Sequence, residues 1–233
     1  MIKYSQIIRE GMSNDEFYDL NDKIANTANM QNMFDAIDRW MEGNDKKKLT
    51  QYYESGKYDA FFDVVREEYD KDHGDVKTFF RGICIEEAGD LSGGHWTNPA
   101  YEQAMPLKVN DKIKITASKY PLQSFSMNIN KAREFAQQDG EAENNAIAIV
   151  RRYDMPNNDD WRIVFYHDFL EGSSWGTTSE WYKGEQEVVL CVEHPSIIVS
   201  AVELYVMQEN EEWLALKQGQ VASDLIHRSG FND

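Results

Sequence analysis

Glu185 and Glu187 stand two residues apart in the segment WYKGEQEVVLCV, where a glycine-marked turn runs into an apolar strand. Residues i and i+2 of a strand share a face, so both carboxylates are expected to project together where the chain enters the core. Like charges set side by side there are either a solvated strand start or a chemical tool. As a tool, a carboxylate pair handles protons and stabilises positive charge. The spacing alone does not decide, because 41 acidic residues produce such pairs by chance, and Glu141/Glu143 and Glu209/Glu211 repeat it in polar contexts.

Two other constellations matter. In PLQSFSMNINKAREFA, Ser124 and Ser126 form an i, i+2 pair on a short strand just ahead of a helix. Taken alone they are two hydroxyls near a strand end, with Asn128 or Asn130 placed to cap the helix. In TFFRGI, Arg81 sits in an apolar strand directly before Gly82. A guanidinium in such a strand needs an anion, because an unpaired buried charge is costly. The anion is either a structural acid or a ligand's carboxylate or phosphate, which suits arginine better than lysine. Gly82 would let a ligand approach the backbone closely. His95 and His194 lack metal-ligand spacing, and Asp19, Asn21 and Asp22 lack the glycine of a calcium loop. No metal is expected, and no GxGxxG, P-loop or nucleophile elbow is present.

The elements that must position these residues come in two textures. From Ser13, set three residues before Glu16 as in a capping box, to about residue 70, apolar residues recur at helical spacing, with a break at GNDKKK (43–48). Short apolar or alternating runs follow: TFFRGICI, DKIKITA, LQSFSM, NAIAIVRRY, WRIVFYH, EVVLCVE and SIIVSAVELYVM. One helix, NINKAREFAQQ, interrupts them, and ENEEWLALKQGQVASDLIHR at the C-terminal end is expected to be helical. The fold class is α+β: a helical N-terminal region over 1–72, then a mostly antiparallel, two-sheet core over 73–233.

Composition limits the partners. The 233 residues carry 41 acidic against 24 basic side chains, a formal charge of −17. Such a surface repels phosphate backbones and anionic lipid, so nucleic acid and membrane are disfavoured as partners and a basic protein surface is favoured. No signal peptide or membrane span is read, and Cys84 and Cys191 lie inside strands as buried reduced thiols. A cytoplasmic protein is expected.

Arg-Gly on the first core strand, Ser-x-Ser on a strand that runs into a helix, then Glu-x-Glu after an aromatic loop resembles, in this order, the mono-ADP-ribosyltransferases of the Arg-Ser-Glu class. The resemblance covers roughly residues 77–206 and is closest to the small phage-encoded enzymes of the Mod and Alt kind. It implies NAD⁺ as substrate, held in a split two-sheet fold. It makes Glu187, Glu185, Arg81 and Ser124 the catalytic set, and Arg81, Gly82, Ser124, Phe125, Ser126 and Glu187 the NAD⁺ contacts. Arg81 would hold the pyrophosphate or adjoining ribose, Ser124 the nicotinamide-side ribose, and Ser126 the strand and site. Glu187 would stabilise the oxocarbenium-like ion left as nicotinamide departs. Phe125 stands where the family often has threonine, and is expected to point into the core.

Glu185, with Trp181 and Tyr182 on the preceding loop, would face the acceptor. Glutamate at the first position of the pair accompanies arginine acceptors in this family, and the acceptor would be an accessible arginine of a host protein. A protonated guanidinium is a poor nucleophile, so a carboxylate must orient it and take a proton. Alternatives on the same pocket are NAD⁺ hydrolysis, or transfer involving nucleic acid or NAD-capped RNA. From a different class, a non-catalytic acidic mimic of DNA would need none of these residues and would ignore NAD⁺.

Overall fold

The computed structural model describes residues 13–26, 30–41, 46–74, 76–86, 98–116, 122–137, 142, 144–155, 161–171, 187–192 and 196–226. Glu185, Trp181 and Tyr182 lie outside them. The expected capping box is formed: the Glu16 N–H donates to Ser13 Oγ at 3.3 Å, and the Ser13 N–H donates to Glu16 Oε2 at 2.9 Å. It opens α1 (Asn14–Ala25), the first of four N-terminal helices, with α2 (Met30–Met41), α3 (Lys46–Glu54) and α4 (Asp59–His73) after it. The helical region is therefore more divided than the two runs read from the sequence. Asn26 closes α1 by donating through Nδ2 to the Asp22 carbonyl at 2.8 Å. Gly56, at φ +65°, turns the chain between α3 and α4, a conformation that favours glycine.

The chain divides into two compact units. The first holds α1 to α4, residues Leu122–Phe125 of β3 (Leu122–Ser126), β5 (Trp161–Tyr166), α7 (His167–Glu171) and β6 (Glu187–Val192). Its strands run in the order β3-β6-β5, and β5 pairs antiparallel with β6 from Trp161↔Val192 to Tyr166↔Val188. Helix α4 buries Phe61, Phe62, Val65 and Tyr69. Phe61 meets Phe169 edge-on at 5.8 Å and Tyr69 meets Tyr166 at 5.2 Å. Tyr166 donates its hydroxyl to Asp72 Oδ2 at 2.7 Å, which gives this buried phenol its partner. The one buried carboxylate of α4, Glu68, is met by Lys23 of α1 at 3.5 Å and by Lys71 at 3.7 Å.

The second unit holds β1 (Thr78–Ile85), α5 (Pro99–Ala104), β2 (Lys112–Thr116), α6 (Ile129–Gln137), β4 (Ile147–Asp154), β7 (Ser196–Met207) and β8 (Trp213–Ala215). Its strands run β2-β7-β4-β1, with β8 beside β7, and every pairing is antiparallel. Ile147, Ile149, Ala201, Leu204 and Val206 form the core on one face of this sheet, while α6 covers the other through Ala132 and Ala136. With seven helices and eight strands among the described residues, the protein is α+β with a helical N-terminal region.

Among the described residues of the C-terminal segment, 209–226, the expected helix does not form. Met207 pairs with Trp213 and Tyr205 with Ala215, and the chain then makes only a short 3-10 turn at Ala222–Asp224. The reversal needs Glu211 at φ +62°, and it is closed by the Gln208 N–H donating to the Glu212 carbonyl at 3.0 Å. Residues that favour a helix locally are captured by an open strand edge, a tertiary gain that outweighs weak propensities. Neither cysteine is in a disulfide; Cys191 is buried and Cys84 half-buried. No helix among the described residues is long and apolar enough to cross a membrane.

One ion pair ties α6 to the sheet. Arg133 donates through Nε to Glu203 Oε2 at 2.8 Å and through Nη2 to Oε1 at 2.6 Å, and Tyr205 donates to the same carboxylate at 2.9 Å. The Arg133 hydrogen bonds hold the Glu203 carboxyl below its ordinary value of 4.5. A carboxyl lowered on folding contributes stability above its unfolded pKa and loses it as pH falls through the folded one. Arg133→Ala is therefore expected to cost about 1 kcal/mol at pH 7, after discounting for solvent screening. That difference should shrink as pH falls below the ordinary carboxyl value of 4.5 and through the lowered folded one, which urea melts at several pH values would show.

Candidate functional site

Strand alternation divides β1 between two faces. Phe80 and Gly82 face α6, while Arg81 shares the opposite face with Ile83 and Ile85. The glycine is required by the helix: a Cβ at Gly82 would lie 1.9 Å from the Ala132 carbonyl oxygen and 2.6 Å from the Ala136 nitrogen. The close approach expected of a ligand is thus taken, on the Cβ side, by the backbone of α6. Ala132 and Ala136 are small for the same reason, since larger side chains would hold helix and strand apart.

Arg81 is registered directly opposite Arg151 on β4, within a ladder that runs unbroken from Thr78↔Asp154 to Ile85↔Ile147. Directly opposed residues of an antiparallel pair project from the same face, with Cβ atoms roughly 5 Å apart. Like charges that share a face in this way repel one another. Burial lowers the affinity of Arg81 for its proton, with the Arg151 charge adding to this and Tyr153 opposing it. A guanidinium nonetheless stays protonated at neutral pH. Arg151 Nε is a buried donor that meets no acceptor among the described residues. Its neighbour Arg152 points the other way and donates to Asp154 Oδ1 at 2.9 Å in an exposed pair. Sequence reasoning passes over Arg151, although NAIAIVRRY carries the same signal that singles out Arg81, an arginine inside an apolar strand.

The serine strand straddles the two units. Ser124 is half-buried and Phe125 buried in the first unit, where β3 neighbours β6. Ser126 is registered against Phe80 of β1 in the second. Ser126 is 2% exposed and its Oγ accepts from the Asn128 N–H at 3.0 Å, closing the turn from strand to helix. Asn128 then caps α6 by accepting from the Asn130 N–H at 2.9 Å, so the cap is Asn128 and not Asn130. Glu187 is half-buried as the first residue of β6, directly before the buried run Val188–Val192. Ser124 and Glu187 therefore stand on neighbouring strands of the first unit, while Arg81, Gly82 and Arg151 stand on neighbouring strands of the second.

Among the described residues no group of three or more His, Cys, Asp or Glu is arranged to hold a metal ion. No family model matches the chain, and no curated protein or solved structure is significantly similar to it.

Proposed function

We propose that the protein is an NAD⁺-dependent mono-ADP-ribosyltransferase that moves ADP-ribose to an arginine of a host protein and releases nicotinamide. The observation that carries this reading is the ordered set itself: Arg81-Gly82 on β1, Ser124 and Ser126 on the strand feeding α6, and Glu187 opening β6. Arg81-Gly82, Ser124 with Ser126, and Glu187 each fall on a strand, and each stands at a point with a physical reason for function. Arg81 is a half-buried cation in an apolar strand, Ser126 organises a strand-to-helix turn, and Glu187 is the last polar position before a buried run. A split two-sheet core gripping NAD⁺ belongs to the same proposal, with Gly82 and Phe125 contributing backbone only.

In this reading Arg81 binds the diphosphate of NAD⁺ and Ser124 the ribose next to nicotinamide. The bond between ribose C1′ and the nicotinamide nitrogen breaks, its electron pair leaves with nicotinamide, and Glu187 stabilises the cationic sugar. An acceptor guanidinium nitrogen then bonds to C1′ and gives a proton to Glu185. The −17 charge favours an arginine-bearing protein surface as acceptor over nucleic acid.

The test is to incubate the protein with biotin-labelled NAD⁺ and bacterial lysate, blot for biotin, and map labelled residues by mass spectrometry. Discrete bands carrying ADP-ribose on arginine support the reading. Absence of both bands and free nicotinamide overturns it and brings the acidic-mimic reading forward. Glu185→Ala is expected to lose at least about 100-fold in labelling, the usual worth of a positioned general base, while nicotinamide release persists. A Glu185→Ala protein that labels arginine normally removes Glu185 from the acceptor role.

A further inference from the structure

We propose that an exposed stretch of the second unit's sheet docks helix α1 of a second copy of the chain. The contact uses no residue of the transferase site and stands apart from that reading. Helix α6 covers the part of its sheet face that holds Gly82, Ala148 and Val150. Further along that face the register sets Lys112 opposite Ser200, Ser200 opposite Arg152, and Arg152 opposite Phe80, one row across four strands. Opposed residues share a face, and two contacts agree with this. Lys112 Nζ donates to Ser200 Oγ at 2.7 Å, and Arg152 Nε donates to Asp154 Oδ1 at 2.9 Å. The next row sets Lys114 opposite Ile198. Lys112, Lys114 and Arg152 are exposed, and Ile198 is 67% exposed, an apolar centre within a cationic rim.

Here three cations stand against one carboxylate, Asp154, on a chain whose formal charge is −17. Such a patch selects an anionic occupant, and the chain itself supplies one. On α1, Asp15, Tyr18, Asp19 and Asp22 fall at i, i+3, i+4 and i+7, opposite the buried Leu20 and Ile24. All four are exposed, Tyr18 by 58%, and Asp19 also pairs with Lys23 at 3.3 Å. Tyr18 thus lies among acids and Ile198 among bases, each apolar side chain with the opposite rim of charge. From Asp15 to Asp22 the stripe runs roughly 10 Å along the helix. From Lys112 on β2 to Arg152 on β4 is two strand spacings, again about 10 Å. Three carboxylates meet three cations while the tyrosine ring covers the isoleucine, an apolar centre inside a polar rim. The net charge of each copy opposes approach, but charges more than about 8 Å apart are largely screened at physiological ionic strength.

The test is sedimentation equilibrium of the full chain at about 0.15 M salt, wild type beside two charge reversals. One reverses the sheet, Lys112→Glu with Lys114→Glu, and the other reverses the helix, Asp15→Lys with Asp22→Lys. Wild type is expected to associate with a Kd on the order of 100 µM, as suits a contact at the small end of interface sizes. Each reversal alone is expected to weaken association at least about 10-fold, and an equimolar mixture of the two to restore it. Ile198→Thr keeps a branched strand residue and every charge, and is expected to weaken association about 3- to 10-fold. Thermal melts check that each variant is folded. Where a double reversal does not fold, Lys114→Glu and Asp22→Lys alone carry the same comparison. A wild type that is monomeric to about 1 mM overturns the docking. So does association that both reversals leave unchanged, which belongs to another surface. Folded reversals that are monomeric apart and stay so when mixed also overturn it.

Discussion

Glu187→Gln is expected to lower the rate of nicotinamide release from NAD⁺ by about 100- to 1,000-fold while leaving the fold intact. Glutamine keeps the size and the hydrogen-bonding carbonyl of glutamate, so the half-buried start of β6 should accept it. What it removes is the negative charge. As the glycosidic bond breaks, positive charge accumulates on the sugar, and an oriented carboxylate in a partly dehydrated site stabilises that charge far more than it does the ground state. Removing one such preorganised electrostatic partner typically costs about 3–4 kcal/mol of transition-state stabilisation, which corresponds to a rate loss of that size. Initial rates measured by chromatography of free nicotinamide, beside thermal melts of both proteins, would check it. A variant that retains a third or more of the rate takes Glu187 out of the chemistry. A variant that loses the rate together with several degrees of melting temperature shows a structural role instead.

Gly82→Ala is expected to destabilise the protein by about 3 kcal/mol or more, the upper range for overpacking a tight interior. The added methyl would stand 1.9 Å from one backbone atom of α6 and 2.6 Å from another. Backbone atoms cannot rotate aside, so the helix must lift, and lifting it opens the contact that buries Ala132, Ala136, Ala148 and Val150. For a chain of this size that corresponds to a fall of roughly 10 °C in melting temperature. The measurement separates two uses of the residue. A glycine kept for a ligand would give a stable protein with weakened NAD⁺ binding, whereas one kept for α6 gives a protein that melts early with or without NAD⁺. Melting within about 2 °C of wild type, a shift of under about 1 kcal/mol, would overturn the packing argument.

The short apolar runs of TFFRGICI, EVVLCVE and SIIVSAVELYVM identify strands because β-branched and aromatic residues in runs of this length suit a pleated, largely covered sheet. The three-residue interval from Ser13 to Glu16 identifies a helix start because both partners of the capping box lie within one turn. Such signals are local. The α+β class, the helical N-terminal region and the strands carrying Arg81, Ser124 and Glu187 are therefore legible in the amino-acid order itself.

Other features depend on residues far apart in the chain. The helix-like C-terminal segment becomes β8 because β7 offers an open edge, a fact written some ten residues earlier and absent from the segment's own composition. Gly82 reads as an open door for a ligand until α6, fifty residues on, is seen to occupy the space. Arg151 acquires meaning only through register, since no spacing within NAIAIVRRY says that Arg81 stands opposite. Periodicity reports which face a side chain takes, because that is set by its own backbone. Which side chain waits across the ladder is set by the pairing of two strands, and that is a property of the fold.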